Sequence, residues 1–231
     1  MNGQKFIEYL QHFGLTRQEA FVYQKLLVNG KQTGYEIAKE TGISRSNAYS
    51  ALAALVDKGA AYQLEETAKK YIPVKLEEFC ENCIRSLNEE KEWLLSNLPQ
   101  EKVEEEGYIT IEGADHIRSK IRNLLKETEE RVYISCKARY VYEFAGELQK
   151  LLDEKKKVVI ITDEEMTFDG ALIYVSEDKG SQIGMITDSR YVITGEYGEE
   201  SQNTCLYSGQ RNFVILFKNA LANEIKLIQL K

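Results

Sequence analysis

Proline, histidine and cysteine are scarce in this chain of 231 residues, and each scarcity excludes something. The two prolines, Pro73 and Pro99, fall where the residue pattern changes. Proline can continue neither a helix nor a ladder, so both read as boundary marks. Four cysteines, Cys80, Cys83, Cys136 and Cys205, are too few for a secreted disulfide scaffold and read as small reduced hydrophobes. Cys80 and Cys83 do form a C-x-x-C pair. With only His12 and His116 available and no second close cysteine pair, a zinc site would lack ligands. Core packing is the first reading of that pair, with metal binding and redox sensing as its alternatives, and no cofactor is expected. No apolar run approaches the roughly 18 residues of a membrane span. The first ten residues carry an early acid and no signal-peptide core. The expectation is a soluble, cytoplasmic protein with no membrane partner.

The length suits two domains, and 43% hydrophobic residues suffice for cores. The net charge is −7, which at first disfavours nucleic acid. Its distribution says more than its sum. Residues 1–75 carry +3, and residues 76–231 carry −10. A mildly basic head on an acidic body suits a protein that meets DNA with one end.

The head reads as helices followed by a hairpin. Phe6, Ile7, Leu10 and Phe13 recur at helical spacing before Gly14. Thr16 with Glu19, and Thr33 with Glu36, are capping boxes that open two further helices. Gly42 supplies a turn. Ser44 then caps a helix bearing Ala48, Leu52, Leu55 and Val56, which stops at Gly59. Residues 60–64 and 69–74 look like two strands, with a turn at 65–68. This order is that of a winged helix-turn-helix over residues 1–75.

In that motif the second helix enters the major groove with its N-terminal residues leading. Here those are Ser44, Arg45, Ser46 and Asn47, with Tyr49 and Ser50 one turn on. Arginine can pair with guanine or a phosphate, asparagine can read adenine, and serine and tyrosine hydroxyls reach phosphates. Lys69 and Lys70 on the hairpin could touch backbone phosphate. The bland alternative is that residues 44–47 merely cap a surface helix. The expected partner is double-stranded DNA.

The head also resembles a known family. The stretch Gly14 to Tyr23, Leu26-Leu27, Gly30, Glu36 to Ala38, Gly42 to Tyr49, Leu52, Leu55, Gly59 and Lys70 to Val74 looks like the TrmB-type archaeal and bacterial regulators. The resemblance implies a transcription regulator, often one responding to a small-molecule effector such as a sugar or another metabolite.

Residues 76–98 lack glycine and proline and predict one long helix. Leu76, Cys80, Cys83, Leu87, Leu94 and Leu98 follow an approximate heptad seam, interrupted by Glu90. A helix this long needs a partner for its seam. A homodimer is the first expectation, and packing against the chain's own body is the alternative. An acidic linker follows at 99–107.

Residues 108–231 alternate strand and helix before a run of strands, which predicts a mixed α/β domain. Strands are expected at 108–111, 132–136, 158–162, 172–175, 183–187, 191–194, 204–207 and 225–230, with helices at 114–127, 141–152 and 213–221. The fold class is thus multidomain: winged helix-turn-helix, long connecting helix, mixed α/β domain. In TrmB-type regulators this position holds a phospholipase-D-like domain, and Gly184 to Asp188, Gly195 and Ser201 to Asn203 resemble the end of its pattern. An active member of that fold would carry H-x-K-x₄-D, with histidine as nucleophile and lysine on phosphate. Counting back from Asp188, those places hold Ser181 and Ile183, and Ile183 offers no charge. His116 sits in a helical pattern without the acid. No catalysis is expected, and Asp188 with Ser189 reads as a turn. Tyr133, Arg139, Tyr140 and Tyr142 cluster near a strand end where open α/β sheets place ligands, although ordinary surface or core tyrosines fit as well. The chain also ends where sugar-sensing members add a further β-rich portion. Two other functions stay open: a phospholipase-D-like phosphodiesterase, and a protein-interaction module using the winged helix.

Overall fold

A computed structural model describes residues 3–65, 68–99, 107–177, 179–199 and 201–230. Most of the expected linker, and Glu66 and Thr67 of the expected hairpin turn, lie outside the described residues. The chain divides into two units, Met1–Lys102 and Val103–Lys231.

The first unit runs α1 (Gly3–His12), α2 (Arg17–Asn29), β1 (Gln32–Thr33), α3 (Gly34–Thr41), α4 (Arg45–Asp57), β2 (Ala61–Glu65), β3 (Lys69–Pro73) and α5 (Leu76–Ser96). Both capping boxes form. The Thr16 amide donates to Glu19 Oε2 at 2.8 Å and the Glu19 amide to Thr16 Oγ1 at 3.3 Å. Thr33 and Glu36 do the same at 2.7 and 3.2 Å. Each box satisfies two amides that a helix start leaves free. Tyr23, Leu26, Ile37, Leu52, Leu55 and Phe79 make the buried centre. The Tyr23 hydroxyl donates to the Val74 carbonyl at 2.8 Å, and its ring meets Phe79 edge-on at 5.4 Å. These contacts tie α2 to the end of the hairpin and the start of α5. The hairpin is joined by a third strand that sequence reading missed. The two-residue β1 pairs antiparallel with β3, Gln32 opposite Tyr71 and Thr33 opposite Lys70, giving the order β1-β3-β2. Two residues carry no periodicity to detect.

The second unit runs β4 (Ile109–Glu112), α6 (Ala114–Glu127), β5 (Arg131–Ser135), α7 (Ala138–Glu143), α8 (Ala145–Asp153), β6 (Lys157–Thr162), β7 (Leu172–Val175), β8 (Gln182–Thr187), β9 (Tyr191–Glu196), β10 (Thr204–Ser208) and α9 (Arg211–Gln229). One sheet of order β4-β10-β9-β8-β5-β6-β7 results. Strands β5, β6 and β7 are parallel and the remaining pairs antiparallel. Val132 and Ile134 of β5 join the larger core with Ile117, Ile121 and Leu125 of α6, Val141 of α7 and Leu148 of α8. The other sheet face, with Ile161, Ile186 and Val192, is covered by Val214 and Leu221 of α9. Helices on both faces leave β6 buried on both sides, as its β-branched run Val158–Thr162 implies.

Two expected elements are corrected. The helix expected over 141–152 starts earlier and is broken at Phe144, whose buried ring sits between α7 and α8. The strand expected at 225–230 is the last part of α9. Ile225 and Ile228 pack on the same sheet face as Leu221. Spacings of four and three place them on one helical face, and nothing between Leu221 and Ile225 breaks a helix.

Candidate nucleic-acid interface

The turn between α3 and α4 decides which side chains face outward. Gly42 takes φ +73°, a left-handed conformation that ends α3 without steric cost. Ser44 then caps α4, its hydroxyl accepting from the Asn47 amide at 3.2 Å. From that start, Ala48, Ala51, Leu52 and Leu55 are buried against the core. Helical geometry turns Ser44, Arg45, Ser46, Asn47, Tyr49 and Ser50 outward, and all six are exposed. Ser44 therefore caps the helix and belongs to its exposed leading edge at once.

Apart from the Ser44 hydroxyl, which accepts the Asn47 amide, the side-chain polar groups at this edge make no hydrogen bond or ion pair among the described residues. Among the described residues, Arg45 makes no ion pair and the Asn47 side-chain amide has no hydrogen-bond partner. Arg45 is instead steadied by an aromatic face, its guanidinium carbon 4.7 Å from the centroid of the Tyr35 ring. Sequence reading missed Tyr35. Its signal was an aromatic in the first turn of α3 whose one apolar neighbour at helical spacing is the small Ala38. Tyr49 packs differently. Its ring lies over Gly34, where a Cβ would come within 2.5 Å of it, so α3 and α4 approach closely because residue 34 has no side chain.

The two wing lysines separate. Lys69 is exposed opposite Glu65, next to the hairpin turn. Lys70 is half-buried, between Leu64 on one side and Thr33 on the other. Glu36, held below its usual pKa by the Thr33 amide and hydroxyl, feels the Lys70 charge as well. Only Lys69 extends from the hairpin end.

The expected seam of α5 also divides. Leu76, Cys80 and Cys83 pack with buried Phe79 against the core of their own unit. Burial pushes both thiols up, Cys80 further through its neighbour Cys83, which disfavours the reactive thiolate. Among the described residues no cluster of three metal-ligating side chains exists. Further along, Ile84, Leu87, Trp93, Leu94, Leu95 and Leu98 are all more than half exposed.

In the second unit the expected tyrosine–arginine cluster does not assemble. Alternation along β5 turns Tyr133 to the α9 face, away from Val132 and Ile134. Arg139 and Tyr140 belong to α7, on the other face, and line a cavity of about 550 Å³ with Arg118, Glu143, Tyr197 and Asn203. Its central charges, Arg118 and Glu143, are paired with each other. Arg118 Nε donates to Glu143 and to the Tyr197 hydroxyl, both at 3.1 Å. Burial and the Glu143 carboxylate push the Tyr197 hydroxyl up to about 12. Tyr142 is exposed.

The places where the phospholipase-D pattern would put its catalytic pair hold nothing of the kind. Ile183 is buried in the apolar core, and the Ser181 carbonyl accepts from the Tyr197 amide. Asp188 follows β8 as expected, but its carboxylate is fully engaged. It accepts the amides of Glu129, Glu130 and Arg131 at 2.8, 2.8 and 2.9 Å. Burial raises its pKa, these donors lower it further, and the net displacement is downward. Among the described residues no helix is long and apolar enough to cross a membrane.

Two family profiles match the chain. "Sugar-specific transcriptional regulator TrmB" covers residues 10–77, and the N-terminal subdomain of the TrmB effector-binding domain covers residues 107–221. An uncharacterized protein, YrhO of Bacillus subtilis, is 26% identical over 204 residues, 86% of this chain and 72% of that one. The sugar-sensing transcriptional regulator TrmBL1 of Pyrococcus furiosus is 26% identical over 166 residues, 70% of this chain. The chain matches about half (48%) of the length of TrmBL1. Among solved structures, the archaeal chromatin protein TrmBL2 aligns over 96% of this chain and 97% of its own at 20% identity, TM-score 0.43. NucT from Helicobacter pylori aligns over 53% of this chain and 97% of its own at 13% identity, TM-score 0.42.

Proposed function

The chain belongs to the TrmB-type transcriptional regulators, and on that premise we propose that it binds duplex DNA sequence-specifically, as a homodimer, through the leading edge of α4. One observation carries the reading. Ser44, Arg45, Ser46, Asn47, Tyr49 and Ser50 are exposed at the start of a helix whose opposite face is wholly buried. Uncommitted donors there cost nothing in water and can exchange water for base edges and phosphates. Arg45 over Tyr35 is the base reader of this proposal, Asn47 its neighbour on an adenine edge, and Lys69 the wing's phosphate contact.

The dimer rests on the far half of α5. Leu87 and Leu94 are seven residues apart, and with Leu98 they form a stripe that its own unit leaves uncovered. A head of charge +3 gains from pairing, since two such heads double the phosphate contacts. The second unit is the effector-sensing part and does no chemistry of its own. The buried Ile183 supports that, because no cation can reach a phosphoryl group from that position.

Footprinting on the DNA upstream of the chain's own gene tests the reading. Protection of two half-sites, weakening steeply with salt, is the expected result. Absence of salt-sensitive binding there and on a library of genomic fragments would refute it.

A further inference from the structure

Where α9 crosses the sheet it leaves a cavity of about 330 Å³. Its floor is Tyr133 of β5 and Tyr174 of β7 beside Ile186 of β8, and its wall is Leu221, Ala222 and Ile225 of α9. On the helix side the small, exposed Ala222 leaves this space open. Neither tyrosine hydroxyl has a hydrogen-bond partner among the described residues.

The rim is cationic. Arg131, Lys218 and Lys226 line it, and no aspartate or glutamate does. Lys157, opposite Arg131 across the β5–β6 pair, adds a fourth positive charge 5.5 Å from the Tyr133 ring. Among the described residues Arg131 is the one rim cation in an ion pair, with exposed Glu130 at 2.7 Å. Asp188, beside the rim residue Ser189, accepts three backbone amides, one of them that of Arg131, and its charge also acts on the Arg131 guanidinium. This is against composition, since residues 76–231 carry a net charge of −10. A rim whose only charged residues are basic, in so acidic a segment, selects for a negative ligand.

From the largely apolar floor, the two tyrosine hydroxyls left open to a ligand and a rim whose charges are all positive, we infer that this cavity binds a small anion, a carboxylate or phosphate head on an apolar body. The volume lies at the small end of ligand sites, which run from about 300 to 1,000 Å³. A neutral sugar fits poorly, because its hydroxyls need acceptors and the lining offers no carboxylate. The inference gives the effector-sensing unit a site and a ligand class. It rests on that reading only for its effect on DNA, and the binding test below needs no DNA.

The full chain is titrated calorimetrically with phenylacetate, phenyl phosphate, benzyl alcohol and glucose. One or both anions should bind, with benzyl alcohol and glucose weaker by about tenfold or more. The preferred anion distinguishes a carboxylate from a phosphate effector. The exposed pair Lys218→Gln with Lys226→Gln should weaken the anion about tenfold without moving the melting temperature. Ala222→Trp should abolish binding by filling the space. Failure of both anions to bind at millimolar concentration overturns the proposal. So does benzyl alcohol binding as tightly as phenylacetate, or the double lysine variant binding like the wild type.

Discussion

The Arg45 guanidinium lies 4.7 Å from the centre of the Tyr35 ring, so a side chain of α3 holds one of α4 in place across the turn. An arginine left free would lose more rotamer entropy on meeting a base. Arg45→Ala is expected to cost about 1–3 kcal/mol in binding a cognate site and little on scrambled DNA. Tyr35→Ala should cost less, about 0.5–1 kcal/mol, with the same preference for cognate sequence. Fluorescence anisotropy on both duplexes measures the two. Equal losses on cognate and scrambled DNA would make Arg45 a phosphate contact.

The wing makes a different prediction. Lys69 extends from the hairpin end, whereas Lys70 sits within the sheet near Glu36. Lys69→Ala should weaken all sequences alike and lower the slope of log affinity against log salt by about one. Lys70→Ala should change that slope less. The comparison needs only salt titrations of the two variants.

Within the head, the Tyr23 hydroxyl satisfies the buried end of the wing. Tyr23→Phe keeps the ring on Phe79 but leaves the Val74 carbonyl without its donor. The expected loss is about 1–3 kcal/mol of head stability, read by urea denaturation.

Much of the head was legible from sequence because its signals are local. The capping boxes at Thr16 and Thr33 and the cap at Ser44 each involve residues three apart, and each forms as expected. What sequence could not show depends on distant partners. Strand β1 exists because β3 lies beside it. Tyr133 and Arg139 looked like neighbours in sequence, yet alternation along β5 puts them on opposite faces of the sheet. Ile225 and Ile228 are β-branched and suggested a strand, but the sheet face beneath α9 uses their helical spacing. Leu76, Cys80 and Cys83 fitted a heptad, and the head's own core took them.

Asp188 provides a test by pH. Its folded pKa is depressed, so its stabilisation is complete above the ordinary carboxylate range and is lost as pH falls through the depressed value. Asp188→Asn should destabilise the second unit by about 1–3 kcal/mol at neutral pH and flatten its stability profile on acidification. Thermal melts from pH 7 to pH 3 show both effects. An unchanged melting temperature at neutral pH would remove the structural role assigned to its three amide contacts.

The dimer prediction concerns Leu87 and Leu94, both about 60% exposed on α5. Leu87→Glu with Leu94→Glu should convert a dimer to a monomer in sedimentation velocity while the melting of the head is unchanged. Affinity for a two-half-site duplex should fall with it.

The central claim is that the leading edge of α4 reads DNA sequence, and a base-substitution series reaches it most directly. Wild-type chain and Arg45→Ala are titrated against the protected duplex with each base pair of one half-site changed in turn. The account predicts that one guanine-containing pair matters strongly to the wild type, about 1–3 kcal/mol, and not to the variant. A wild type and variant with the same profile, shifted only in overall affinity, would contradict it.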